Sequence, residues 1–250
     1  MKTKIKTQHP SDRVNREMLT YREIQDYVSS LVPARPQECQ RMEQIARKRH
    51  FPIIGAPCGH LCYMIAKMIG ARRIFELGSG FGYSTYWLAR AVKENGGGVV
   101  HHTVWDEELS ARAREHLTRL RMNNLVKFHI GEAIETLRGI DEEFDLLFCD
   151  IDKHAYAEAL TEMNRHLRVG GVVIFDNMLL HGSVLPARRD SHVPPPHPSR
   201  NIDAAQHKEH HAGNLRGVLK TTNMLFKKAN WTASLIPLRD GLAMAMKSGN

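Results

Sequence analysis

The run Arg73-Ile-Phe-Glu-Leu-Gly-Ser-Gly-Phe-Gly-Tyr-Ser84 constrains this chain more than any other stretch. An apolar strand pattern runs into a loop with glycines at Gly78, Gly80 and Gly82, and residues 84–92 then have helical composition. Glycines where a parallel strand turns into a helix let a ligand approach the backbone closely. The pattern predicts a nucleotide-type pocket at the end of a strand.

Such turns serve NAD, ATP and S-adenosylmethionine alike. No Lys-Ser/Thr pair follows the glycines, which argues against a phosphate-binding loop. Glu76, two residues before the first glycine, would repel a pyrophosphate and suits a cofactor bearing a cationic amino group. S-adenosylmethionine has that sign.

Downstream, strand patterns at residues 99–105, 126–130, 144–150 and 172–176 alternate with helical ones at 107–121, 133–138 and 155–167. With the strand at Arg73, five strands separated by helices predict a doubly wound parallel sheet of the α/β class. Ligands of such a sheet bind beyond the carboxyl ends of its strands. Upstream, Val14, Met18, Tyr21, Ile24, Val28 and Leu31 recur every three or four residues, predicting an amphipathic helix over 11–32 that Pro33 and Pro36 end. Further helices are expected at about 36–50 and 59–69. Residues 1–50 thus read as a helical cap on a domain of residues 51–250.

The segment 179–213 breaks the alternation with Pro194-Pro-Pro196, Pro198 and six histidines. It reads as a long polar loop, mobile over about 185–213, in preference to a His-rich metal site. A helix at 214–228 and an antiparallel hairpin turning at Arg239-Asp240-Gly241 close the chain.

The 42% hydrophobic and 25% charged fractions are those of an ordinary globule. No segment reads as a membrane span or a secretory signal, so the cytoplasm is the expected compartment. Cys39, Cys58, Cys62 and Cys149 are scattered, as suits reduced thiols. The 35 Lys and Arg against 27 Asp and Glu give a formal charge of +8, which permits attraction to nucleic acid or acidic metabolites without requiring it.

Two acidic clusters fall where the fourth and fifth strands end: Asp150-Ile-Asp152-Lys153 and Asp176-Asn177. Oxygen ligands from Asp150, Asp176 and the amide of Asn177 suit a hard divalent cation such as Mg²⁺. Lys153 could face the same spot. Taken singly, the first cluster also reads as a helix start and the second as a loop turn. On the ligand side of one sheet that also carries a cofactor loop, the two together point to a site.

With these stretches in place, the chain resembles the cation-dependent, S-adenosylmethionine-dependent O-methyltransferases, the family of the catechol and caffeoyl-coenzyme A enzymes. The resemblance runs from about Phe51 to Lys247. It is carried by Gly55-Ala-Pro-Cys-Gly59, the glycine loop with Glu76, Gly131-Glu-Ala133, Phe144 to Lys153, Gly170 to Asn177, His181-Gly182 and Leu235 to Gly241. It implies a seven-stranded, mostly parallel, Rossmann-like class I methyltransferase sheet and a homodimer. It makes Asp150, Asp176 and Asn177 the metal ligands and Lys153 the catalytic base. Glu76, Gly78, Gly80, Ser84, Ala133 and Asp150 would line the cofactor pocket. The acid that binds the cofactor ribose should end the second strand, and Asp106 is the nearest candidate, displaced by a residue or two. The implied acceptor is a small vicinal diol, such as a catechol or a polyhydroxylated natural product. The alternative is a hydroxylated uridine in tRNA, as some bacterial relatives methylate.

Overall fold

The computed structural model describes residues 21–189, 193–195, 203–227 and 229–249. Its centre is one seven-stranded sheet in the order β3-β2-β1-β4-β5-β7-β6. The strands are β1 (Arg73–Leu77), β2 (Val99–Val104), β3 (Val126–Ile130), β4 (Phe144–Cys149), β5 (Leu167–Phe175), β6 (Trp231–Ile236) and β7 (Leu242–Lys247). The first five are mutually parallel, and β7 joins antiparallel between β5 and β6. This is the expected doubly wound α/β sheet, extended by the C-terminal hairpin.

Alternation along the strands builds two cores. Ile74, Val100, Leu146, Phe148 and Ile174 face a layer made by α2 (Gln37–Arg49), α3 (Gly55–Met68), α4 (Tyr83–Glu94) and Leu117 of α5 (Glu107–Arg119). Phe75, Leu77, Leu147, Val173 and Phe175 face α6 (Ala133–Arg138), α7 (Tyr156–His166) and α8 (Ala204–Lys227). Both faces are covered, so the central strands are apolar almost throughout. Each such side chain, fully buried, contributes about 1.5–3 kcal/mol. Cys39, Met42 and Ala46 of α2 sit in the first core, so this helix of the expected cap belongs to the packing of the main sheet.

Three boundaries differ from the sequence expectation. The helix α3 starts at Gly55, four residues early, because Pro57 falls in its first turn, where no N–H is needed. The helix α8 starts at Ala204, so residues 204–213 are helical and not part of a mobile loop. That stretch has no proline and supplies the first member, His211, of a buried stripe with Asn214, Gly217, Val218, Thr221 and Leu225. Its run of histidines hid a helical face. At the front, α1 spans Tyr21–Ser30, and residues 11–20 of the expected helix lie outside the described residues, as do 190–192 and 196–202 of the expected loop. Among the described residues no helix is long and apolar enough to cross a membrane.

Candidate functional site

Backbone hydrogen bonds that continue past the strand ends hold the connecting loops side by side. Ser79 N–H donates to the Thr103 carbonyl (2.9 Å), Gly131 N–H to that of Val104 (3.1 Å), Asp150 N–H to that of Leu77 (2.9 Å) and Asp176 N–H to that of Cys149 (3.1 Å). Five loops therefore open on one edge of the sheet. They carry the expected site residues: Gly78, Gly80 and Ser84 after β1, Asp106 after β2, Ala133 after β3, Asp150 and Lys153 after β4, Asp176 and Asn177 after β5.

The glycine loop has the surface of a backbone cradle. Ser79 turns inward, its hydroxyl accepting the Thr103 N–H at 3.0 Å. Gly78 has φ +86, and a Cβ there would stand 2.5 Å from the Asp150 carbonyl oxygen, so any side chain would push β1 from β4. Ser84 is buried in the first turn of α4 and Ala133 in that of α6, where the Glu132 carboxylate caps the helix by accepting Glu135 N–H at 2.7 Å. The start of α4 has no side-chain cap, and an open backbone at a helix start suits the carboxylate of an amino acid group.

Glu76 lies beneath this loop and is wholly buried. Its Oε2 accepts the Thr85 hydroxyl at 2.5 Å, while Oε1 is buried without a hydrogen-bond partner. Burial, opposed by the hydroxyls of Ser84, Thr85 and Ser79, raises its carboxyl to about 7. A buried acid with one unsatisfied oxygen fits a cationic neighbour better than an anionic one.

Asp106 has another first duty. Its Oδ1 accepts the Leu109 N–H at 2.8 Å as the N-cap of α5. The residues before it are buried Val104 and Trp105, which is 82% exposed, so no acid ends β2 itself.

The second acidic cluster is tighter. Asp176 is 2% exposed. Its Oδ1 accepts the Asn177 N–H at 2.8 Å, and Asn177 takes the left-handed φ of +55 that asparagine tolerates. Burial first, and the charge of Asp150 second, raise the Asp176 carboxyl to about 7. Lys153 Nζ donates to Asp150 Oδ1 at 2.7 Å and to the Ile151 carbonyl at 3.0 Å. Burial lowers the Lys153 ammonium, but Asp150 and Asp176 prevail and hold it above its usual value. A buried carboxyl raised beside a second carboxylate favours added positive charge, and two carboxylates with an amide oxygen make a hard donor set. Among the described residues no three His, Cys, Asp or Glu side chains are arranged to hold a metal ion, His207, His210 and His211 included.

Other contacts around the site were not legible beforehand. The Tyr156 hydroxyl donates to the carbonyls of Asp176 (2.9 Å) and Cys149 (3.3 Å), bolting the two acidic strand ends together. The loop after β5 is strapped to the hairpin turn: Leu179 N–H donates to the Asp240 carbonyl (2.8 Å) and His181 N–H to Asp240 Oδ1 (2.6 Å). A tyrosine three residues after a lysine carries no signal in a single sequence.

Comparison with known proteins follows the same lines. A family model described as O-methyltransferase matches residues 38–248. A catechol O-methyltransferase of Niastella koreensis is 34% identical over 131 residues, covering 51% of this chain and 58% of that protein's length. Tricin synthase 1 of Oryza sativa subsp. japonica is 29% identical over 214 residues, 80% of this chain and 81% of that protein. Among solved structures, the O-methyltransferase TomG of Streptomyces achromogenes, in complex with SAM, superposes with a TM-score of 0.73 at 27% identity, covering 90% of this chain and 96% of that one.

Proposed function

The chain belongs to the O-methyltransferase family, and we propose that it moves a methyl group from S-adenosylmethionine to one hydroxyl of a small vicinal-diol acceptor, catechol-like or polyhydroxylated, in a reaction that uses a divalent cation. The observation that carries this reading is the pairing of a backbone glycine cradle with Asp150, Asp176, Asn177 and Lys153 on one sheet edge. The name of the catechol O-methyltransferase of Niastella koreensis points to the same acceptor class.

In this reading Asp150, Asp176 and Asn177 would hold the cation. When bound, it would supply Lewis-acid polarisation of the two acceptor oxygens. Lys153 Nζ accepts the proton of the hydroxyl to be methylated. Its ammonium is held up chiefly by Asp150 and Asp176; with both charges committed to a cation, burial, the largest single influence, would favour the neutral amine. The loop at Gly78 and Gly80, with Ser84, Ala133 and Asp150, orients the methyl donor, and Glu76 beneath it supplies negative charge. Tyr156 keeps the strand ends from parting, so that positioning of two reactants accounts for much of the rate. The four cysteines are free and buried, which supports a reducing compartment, the cytoplasm. In this reading the domain expected over 51–250 is the catalytic one, and α2, packed into its first core, is part of it.

The test incubates the protein with methyl-labelled S-adenosylmethionine, with Mg²⁺ or with chelator, against catechols, caffeoyl-type phenols and bulk tRNA. Transfer to a vicinal diol is expected, lost in chelator and lost in Asp176→Ala. Activity that survives both treatments would refute the metal requirement. Transfer to tRNA alone would replace the small acceptor, and the +8 charge would then be the substrate track.

A further inference from the structure

The turn that carries Lys153 is short and has little holding power of its own. Residues Lys153–Ala155 form one turn of 3-10 helix, and the Asp152 side chain makes no capping bond to it. What fixes this turn comes from α8. The Asn214 side chain is buried; its Oδ1 accepts the His154 N–H at 3.0 Å, and its Nδ2 meets His210 Nε2 at 2.9 Å. With His210 as acceptor, the Asn214 amide is oriented by its own helix, one turn back. Three residues on, Gly217 lets the helix touch the turn backbone to backbone: a Cβ there would stand 2.0 Å from the Lys153 carbonyl oxygen and 2.8 Å from the His154 Cα.

We infer that Asn214, seated by Gly217, is a positioning residue that holds the Lys153–Ala155 turn and thereby sets where Lys153 Nζ stands against Asp150. The inference rests on the reading of Lys153 as the base. The logic is geometric. Nζ reaches Asp150 Oδ1 and the Ile151 carbonyl only because the side chain folds back over its own turn, so a turn free to tilt would carry the amine away from both. Asn214 fixes the peptide joining Lys153 to His154, the nearest backbone to that side chain. Its side-chain hydrogen bonds go to the His154 N–H and to His210, whose Nε2 also lies 3.7 Å from Asp152 Oδ1, so its hold is on the turn from both sides of Lys153.

The experiment compares Asn214→Leu, Asn214→Asp, Lys153→Ala and the double variant Lys153→Ala/Asn214→Leu, with catechol, Mg²⁺ and labelled S-adenosylmethionine. Asn214→Leu should lower kcat by about 10- to 100-fold, the loss that a misplacement near 1 Å brings, with the KM for S-adenosylmethionine unchanged. Asn214→Asp, which keeps the acceptor oxygen, should recover most of the activity. In the Lys153→Ala background the leucine should cost nothing further, because residues that act through one another are not additive. Hydrogen exchange supplies a readout apart from turnover: the His154 amide should exchange faster in Asn214→Leu and near the wild-type rate in Asn214→Asp. Should leucine prevent folding, Asn214→Ala removes the acceptor oxygen without adding bulk, and it should lower kcat in the same selective way. An equal loss in both backgrounds, a parallel loss of cofactor affinity, or unprotected His154 in the wild type would overturn the role given to Asn214. Full activity in Lys153→Ala would instead overturn the base assignment and this inference with it, whereas an inactive Lys153→Ala beside a fully active Asn214→Leu would overturn the inference alone.

Discussion

Asp106 stands at the end of β2 where two needs compete for one carboxylate. A cofactor ribose at this edge would want an acid at the strand end, and α5 wants a side-chain oxygen for its first free N–H. The geometry meets the second need, with Oδ1 on the Leu109 amide at 2.8 Å. Asp106→Ala should therefore cost about 1 kcal/mol of stability, or about 2–4 °C in Tm for a chain of this size. Asp106→Asn, an equally good cap, should restore Tm and leave the affinity for S-adenosylhomocysteine unchanged by calorimetry. A fall in that affinity with Tm intact would mean that the carboxylate serves the ribose after all. The contrast with Asp150 and Asp176 explains what was readable. Those acids directly follow apolar strands, so the strand pattern alone places them on the ligand edge. Asp106 is separated from the last residue of β2, Val104, by exposed Trp105, and pattern alone cannot tell a helix cap from a ligand. Tyr156 and Asn214 act through backbone groups, which no residue pattern encodes.

At the scale of elements, β2 is unusual in burying a histidine on each face. His101 stacks with His129 and meets Phe75 and Phe144, while His102 Nδ1 lies 3.0 Å from the Thr85 hydroxyl and its ring beside Phe128. Burial lowers His101 to about 4, against the pull of Glu142, and His102 to about 3. The unfolded chain protonates its histidines near 6.5, so between that pH and about 4 the unfolded state binds a proton that folded His101 refuses. The contribution of His101 to stability is then complete above about pH 6.5 and is lost as pH drops toward 4, by about 3 kcal/mol. His101→Phe keeps an aromatic ring among Phe75 and Phe144 and should flatten this acid limb, as read by urea unfolding at pH 7 and pH 4.5. Equal losses on acidification in variant and wild type would show that His101 is not the group responsible. The β-strand pattern was legible here despite the histidines because Val99, Val100 and Val104 frame them. In α8 the same residue type misled: polar histidines at 207, 210 and 211 read as loop, yet a helix needs only one buried stripe, and its other faces are free to be polar.

At the scale of the whole molecule, the sheet accounts for its own faces but not for α1. None of its residues is buried, and Ile24, Tyr27 and, just past its end, Leu31 are 42%, 66% and 62% exposed. They recur at helical spacing, so they make one apolar stripe and not scattered surface residues. The helix is nevertheless placed: the Tyr21 hydroxyl donates to the carbonyls of Pro237 and Arg239, and Arg239 N–H donates to Gln25 Oε1 at 2.7 Å. Polar bonds thus fix one side of α1 to the hairpin turn beside the site, and the apolar side is presented outward. The homodimer that the family resemblance implies would have this outward stripe of α1 for its interface. Light scattering on a sizing column should give twice the 28.4 kDa chain mass for the wild type, and the chain mass itself for Tyr27→Glu/Leu31→Glu. Because the two side chains are mostly exposed already, the double variant should unfold near the wild-type Tm once dimer dissociation is allowed for by matching protein concentration. A wild type that runs as a monomer at tens of micromolar would remove α1 from any interface between copies. A variant that stays dimeric would move the interface elsewhere, and the stripe on α1 would then need a different cover.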